Sequence, residues 1–495
     1  PGTGASLRGS GASDARTRGE ADAASHHGSL GTPGAPALDV ESNSGLKLPT
    51  EIDTLTQREA TDAGVGAGGM DIALRSRPRV EVESIQAPVA DVQTGVAPAS
   101  VKPASLVGGG DASGRDAPVY GDDPGNARWG LRLPEATTTD VAVPTEAATP
   151  EDPYKQRAPD IRNEIVERLG GSDETEQAVA TSLQWLAKHQ SRDGRWDSTQ
   201  YDDDCGRCGG EPSIDSDTAV TGLALLCYLG ADHTHMKQGP YRERVGRGID
   251  WLLSRQGKDG DLRGGGTMYS HGIAAIAISE AYGMTKDERL RKPVEQAIAF
   301  IVTARNTERG GWRYEPGQYG DTSVMGWQVM ALESAKRSGL AVPASAFQGA
   351  AQWLAMVSEG SPGLYAYQPG QPPTPAMTAE GLFVRQLLGH GREEPMMQTS
   401  VLLIAQNPPD WNKGANTYYW YYATLAMFQE QGDQWPRWNA ALTGTLLANQ
   451  RKDGPAAGSW DPADKWSTIG GRVYQTAICT LSLEVYYRYL PLYGR

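Results

Sequence analysis

The sequence predicts an all-α protein: an (α/α)6 toroid of six helix pairs over residues 159–495, preceded by a long disordered N-terminal region over residues 1–158. Three observations lead there. One phrase recurs along the second region, as "SLQWLAKHQSRDGRW" at 182–196, "GIDWLLSRQGKDGDL" at 248–262 and, less closely, "AIAFIVTARNTERGGWRY" at 297–314. Between the turns lies a second kind of helix, small and apolar nearly all round, which marks it as buried. Finally, neither end of the series is polar, as the capping repeats of an open solenoid must be. A closed ring removes the ends.

Residues 1–158 carry Gly, Ala, Pro, Ser, Thr and Asp with little periodicity. Stretches such as "APASVKPASLVGGGDASGRDAP" cannot bury enough apolar surface to offset the entropy of ordering, so this part reads as a linker or tether. From "IRNEIVERLGGSDETEQAV" onward helical periodicity and Gly-rich turns take over.

The first helices of the pairs align on an apolar residue followed five positions later by a Gln or its equivalent. The series is Trp185/Gln190, Trp251/Gln256, Phe300/Arg305, Val401/Gln406 and Thr445/Gln450, with a degenerate copy at Trp353. The second helices read, in order, "TAVTGLALLCYLG", "HGIAAIAISEAYG", "TSVMGWQVMALESA", "TAEGLFVRQLLG", "TYYWYYATLAMF" and "VYQTAICTLSLEVYY". Spacings of roughly 45–65 residues fall in the range of repeat architectures. The apolar helices form the inner ring and the charged ones the outer. In each turn the Gln satisfies orphan groups at a helix end, Gly permits the reversal, and Trp packs over the junction.

This phrase resembles the QW motif of squalene–hopene and oxidosqualene cyclases. The region as a whole resembles the prenyltransferase/squalene-oxidase repeat superfamily, which includes protein prenyltransferase β subunits. In detail, "GGGTMYSHGIAAIAISEAYG" and "GGWRYEPGQYGDTSVMGWQVMAL" are most similar to bacterial, planctomycete-type squalene-cyclase-like repeat proteins. The resemblance implies the toroid and a cavity for an extended isoprenoid-type ligand; fold alone does not imply an activity.

Parallel inner helices bring their N-termini to one mouth, where macrodipoles and free amides suit an anionic group. Asp217, Ser270, Asp321 and Asn416 fall at these helix starts. Asp217 and Asp321 therefore read two ways, as N-caps or as carboxylates serving a ligand or reaction. His271 stands where sister repeats have Thr and can donate, accept or titrate. Tyr269, Trp312 and Tyr314 are expected near the same mouth. Tyr418, Tyr421 and Tyr422, at helical spacing in "NTYYWYYATLAMF", are candidates to face the lumen, where aromatic faces stabilise cations.

Class II cyclases carry an Asp-x-Asp-Asp-Thr-Ala motif whose middle Asp protonates the alkene. The matching stretch here is "IDSDTA" at 214–219: Asp217 matches the last Asp, but Ser216 holds the acid position and Ile214 the first. A serine hydroxyl cannot do that work; Asp215, one residue off, is the remaining candidate. The zinc set of protein prenyltransferases is not matched either, since Cys227 and Cys479 lie late in their helices and read as buried core thiols. "DDDCGRCGG" offers a C-x2-C at Cys205 and Cys208, and His233 and His235 follow, but a helix separates the two pairs. No metal or cofactor is expected, but the long 197–216 loop could bridge the gap, so a metal at Cys205 and Cys208 and a local disulfide between them both stay open.

The net charge of −14 argues against a nucleic-acid partner. No apolar run reaches the length of a membrane span. The chain starts at Pro1, so membrane association would come only through an upstream segment or the ligand, and cell-envelope tethering stays open. The readings left standing are a non-catalytic toroid binding a small hydrophobic, isoprenoid-like or anionic-headed ligand, a divergent terpene cyclase or prenyltransferase, and a polysaccharide-active (α/α)6 enzyme or interaction scaffold.

Overall fold

A helix that buries every side chain must be surrounded by protein, and the apolar helices of this sequence do so by surrounding one another. The computed structural model describes residues 152–202 and 206–489. Most of the expected tether, residues 1–151, lies outside the described residues. The helices are α1 (Pro159–Leu169), α2 (Asp173–Lys188), α3 (Asp217–Gly230), α4 (Arg242–Arg255), α5 (Met268–Thr285), α6 (Glu288–Ala304), α7 (Thr322–Arg337), α8 (Ala344–Val357), α9 (Pro375–Leu387), α10 (Pro395–Gln406), α11 (Thr417–Glu430), α12 (Trp435–Asn449), α13 (Lys465–Leu483) and the short α14 (Val485–Arg488). From α3 to α13 the odd-numbered helices pack side by side, each on the next, and α13 returns to α3. The six-membered inner ring is closed.

The sequence dictates this division. α11 buries all of its residues from Thr417 to Glu430. α4 instead buries Val245, Gly248, Ile249, Trp251 and Leu252 and leaves its Arg- and Glu-bearing face to solvent, the single stripe of an outer helix.

The recurrent turn is a hydrogen-bonded staple. The indoles of Trp196, Trp312 and Trp460 donate to the carbonyls of Leu186, Ile301 and Leu446 at 2.8, 2.7 and 2.8 Å, tying each turn to the last turn of its outer helix. Gln190 Nε2 donates to Gly194 O in its own turn and to Arg244 O of the next outer helix, at 2.8 and 2.9 Å. Gln450 does the same with Gly458 O and Ala178 O, at 3.0 and 2.9 Å. That last pair ties the final repeat to the first. Trp312, expected to face a ligand, is thereby corrected: it is fully buried and serves the staple.

Inner-helix C-termini meet at the opposite end, the floor. Residues 154–157 and 484–489 fill it: Tyr154, Arg157, Glu484, Tyr487 and Arg488 are all buried. Packing against the ring thus begins before residue 159. Arg157 Nη1 donates to Leu229 O at 3.2 Å and Glu280 Oε2 at 2.8 Å, and its Nη2 donates to Arg488 O at 3.2 Å.

Candidate functional site: the mouth and lumen

At the mouth Thr267, Asp321, Thr374, Asn416 and Asp464 cap their inner helices with side-chain hydrogen bonds, while Ser216 holds the cap position of α3 without one. Asp321 caps as expected, its Oδ1 accepting the Val324 amide at 2.7 Å. Asp217 does not. It lies inside α3, where its Oδ1 accepts Ser198 N and Oγ at 2.7 and 3.0 Å and its Oδ2 pairs with Arg195 Nε at 3.1 Å. Burial raises the Asp217 pKa, and the neighbouring Asp197 and Asp215 carboxylates add to it. Asp215 is exposed at the rim and accepts from Ser198 Oγ at 3.3 Å.

His271 is also corrected. It is fully buried away from the lumen. Its Nδ1 accepts the Leu262 amide at 2.9 Å, so the proton sits on Nε2, which faces Ala297 O at 3.1 Å. Thr221, Thr378 and Thr476 accept the equivalent amides of Trp196, Tyr365 and Trp460, so His271 replaces a structural threonine. His271→Ala strands the buried Leu262 amide and should cost about 1–3 kcal/mol in urea unfolding; His271→Thr restores a partner for it and should cost less. Unchanged stability with lost ligand binding would return a functional role to this residue.

The lumen holds a column of polar and aromatic groups. Half-buried Tyr269 shares a hydrogen bond with Ser323 Oγ at 2.5 Å, and Ser323 shares one with Tyr418 OH at 2.7 Å. Tyr418 donates to Glu380 Oε2 at 2.9 Å. The four groups form one continuous chain, Tyr269, Ser323, Tyr418 and Glu380. Tyr314 shares a bond with Tyr367 at 2.6 Å beside it, and Trp466 lies 6.0 Å from Tyr418, ring to ring. Deeper, Tyr418 meets Tyr422 at 5.2 Å, Tyr422 meets Tyr421 at 5.4 Å, and Tyr421 stacks on Trp327 at 5.7 Å. The spacing argument for Tyr418, Tyr421 and Tyr422 thus places them together, while Tyr419 and Trp420 pack outward on Trp438 and Trp411.

Glu380 is the group that sequence reasoning passed over. It is fully buried, and burial holds its carboxyl well above the usual carboxylate range, with Asp321 adding repulsion against the stabilising bond from Tyr418. The folded ring therefore keeps a proton that the unfolded chain releases above the ordinary value of 4.5. Its stabilising contribution is complete below that pH and is lost as pH rises toward the folded value. Glu380→Gln keeps the shape without the titration. Its melting temperature relative to wild type should climb as the pH rises above 4.5; a constant difference would show Glu380 ionised in the fold.

The C-x2-C expectation also changes. His189 is the residue facing Cys208, with Nε2 to Sγ at 3.2 Å and Nδ1 on Trp185 O at 2.6 Å. His235 Nε2 pairs instead with Asp287 at 2.9 Å, and His233 packs edge-on against Tyr241. Cys205 lies outside the described residues. Among the described residues no three His, Cys, Asp or Glu side chains converge as a metal-ligand set, and no helix is long and apolar enough to cross a membrane. Cys227 and Cys479 are buried core thiols.

Residues 165–267, from α1 through the first staples to the turn before α5, match the family model of the squalene-hopene cyclase C-terminal domain. Among solved structures, an inactive variant of an α-1,6-mannanase of Salegentibacter sp. HEL1_6 is similar at 9% identity, covering 64% of this chain and 99% of that one with a TM-score of 0.47. A type II terpene cyclase from Scytonema is similar at 13% identity, covering 65% and 100%, with a TM-score of 0.44. A GH76 α-mannanase of Bacteroides thetaiotaomicron is similar at 11% identity, covering 66% and 97%, with a TM-score of 0.46. No curated protein matches the chain.

Proposed function

We propose that the squalene-cyclase-like ring binds an extended apolar, isoprenoid-type ligand in its lumen and does not carry out class II cyclisation. The observation that carries the reading is the aromatic cluster inside the ring: buried tyrosines 418, 421 and 422 pack with Trp327 below half-buried Tyr269 and Trp466 at the mouth. Against cyclisation stands "IDSDTA", where Ser216 occupies the acid position and Asp217 is engaged by Ser198 and Arg195.

One observation favours a second reading, that of a divergent cyclase or transferase. Burial holds the Glu380 carboxyl well above the usual carboxylate range, and a positioned acid of that kind can deliver a proton. Incubation with squalene separates the two. Bound but unconverted squalene is the expected result; a polycyclic product that disappears in Glu380→Gln would overturn it in favour of the enzyme.

A further inference from the structure

The outside of the ring is divided between a charged half and an uncharged one. The outer helices stand in the order α2, α4, α6, α8, α10 and α12, each packed on its inner partner. α2, α4 and α6 carry four, six and five charged side chains. α8 and α10 carry none, and α12 carries one, Arg437 in its first turn. Three adjacent helices of 14, 12 and 15 residues thus turn a surface almost free of charge to solvent. The solvated side of an amphipathic helix ordinarily bears charge, as α2, α4 and α6 do. Its exposed residues are short or carry amides: Gln352 and Ala355 on α8, Gln406 on α10, Ala440 and Ala448 on α12. On α10, the middle helix, stands Leu402, 54% exposed. The other large apolar side chain so exposed among the described residues is Met236, in the connection before α4. Charged residues return at the helix ends, among them exposed Glu359, Glu393, Lys413 and Asp433. An uncharged centre inside a charged rim is the anatomy of a protein interface.

The chemistry of the face selects its occupant. A membrane surface is met by several large apolar side chains set among Lys and Arg; here there is one exposed Leu and one Arg. A foreign protein is steered and registered by charge opposite to its own. A face that meets its own copy cannot use net charge, because each charge would confront itself across the two-fold. On a chain of net charge −14 that exclusion is sharper still. Amides suit a self-contact, since each holds donor and acceptor and can pair with its symmetry mate. The area fits as well. Helices about 20 Å long and about 10 Å apart span roughly 600 Å². That is each partner's share of an interface of about 1,200 Å², where specific association begins.

We propose that the face of α8, α10 and α12 pairs with the same face of a second copy of this chain, forming a two-fold dimer around Leu402. The inference is independent of what the lumen binds.

The test is sedimentation velocity on the full chain, from about 1 to about 100 μM, at low and high salt. A monomer–dimer equilibrium is expected. Added salt should strengthen it, because salt screens the repulsion between two acidic copies and an uncharged contact has no ion pairs to lose. Leu402→Asp sets a carboxylate on both copies and should weaken the dimer about a hundredfold. At so exposed a site the melting temperature should hardly move. Gln406→Glu, one helical turn along the same face, should weaken it less and gives a second reading should Leu402→Asp fold poorly. Met236→Asp, equally exposed but on the charged half, should leave the equilibrium as it is. A monomer throughout the range, a dimer that salt dissociates, or a dimer indifferent to both Leu402→Asp and Gln406→Glu overturns the proposal. A monomer that co-sediments with vesicles of phosphatidylcholine and phosphatidylglycerol also overturns it and gives the face to a membrane.

Discussion

Arg157→Ala should destabilise the ring by about 3–5 kcal/mol, the usual cost of removing one partner of a buried ion pair. Arg157 and Glu280 are 1% and 2% exposed, and their contact is 2.8 Å. Alanine leaves Glu280 with Arg488 alone, at 3.1 Å; it also removes the Arg157 bond to Arg488 O and one of two donors to Leu229 O, which keeps the Asp232 amide. Those losses fall on α3, α5 and the closing segment 484–489 together. Arg157→Lys keeps the charge but cannot present the fork that reaches all three acceptors, so it should recover only part of the loss. Pairing Arg157→Ala with Glu280→Gln removes the uncompensated carboxylate and should return some stability. A urea series reads all three. A loss below about 1 kcal/mol for Arg157→Ala would place the pair among surface-like bridges and remove the floor as an element of ring closure.

The parts of this architecture that were legible in the sequence are those set by local pattern. The six apolar stretches all became inner helices because such a surface has nowhere else to go. The Gln–Gly–Trp phrase read correctly as a staple because donor, turn and indole lie within a few residues of each other. What was not legible depends on partners brought from afar. Asp217 looked like a cap, yet Ser198, across a long loop, claims its carboxylate, leaving Ser216 at the cap position. His271 looked exceptional at the mouth, but Leu262 and Ala297 from neighbouring elements claim both ring nitrogens. Glu380 had a signal that went unused, a lone charge beside glycine in "TAEGLFV". Space for its carboxyl comes from the facing helix, where a side chain at Gly326 would occupy the same place. The last apolar stretch read as one helix. It instead pauses at Glu484, and residues 485–488 form a separate short helix from which Arg488 reaches Glu280, a change that periodicity does not register.

Gly458→Ala should cost about 2–5 kcal/mol, although it adds a single methyl group in a surface turn. Two penalties combine. The residue sits at φ +93°, in the left-handed region, where a side chain costs about 1–3 kcal/mol. Its missing Cβ is also what lets the turn press on α2, since a Cβ there would collide with the Thr181 carbonyl, and overpacking adds about 1–3 kcal/mol. The contact is the seam between the last repeat and the first. Gly458 O accepts from Gln450 Nε2, which also donates to Ala178 O, so displacing the turn loosens both bonds that close the ring. Gly454, four residues earlier, supplies the control. It too has positive φ, +67°, but nothing lies within 4 Å of where its Cβ would be. Gly454→Ala should therefore carry only the backbone penalty. If the two variants lose equal stability, the seam contributes nothing beyond backbone strain, and closure must rest on the inner helices α13 and α3 alone. The larger loss at Gly458, with hydrogen exchange speeding up in α2 and α12 rather than across the ring, is the result expected of a toroid held shut at its outer seam.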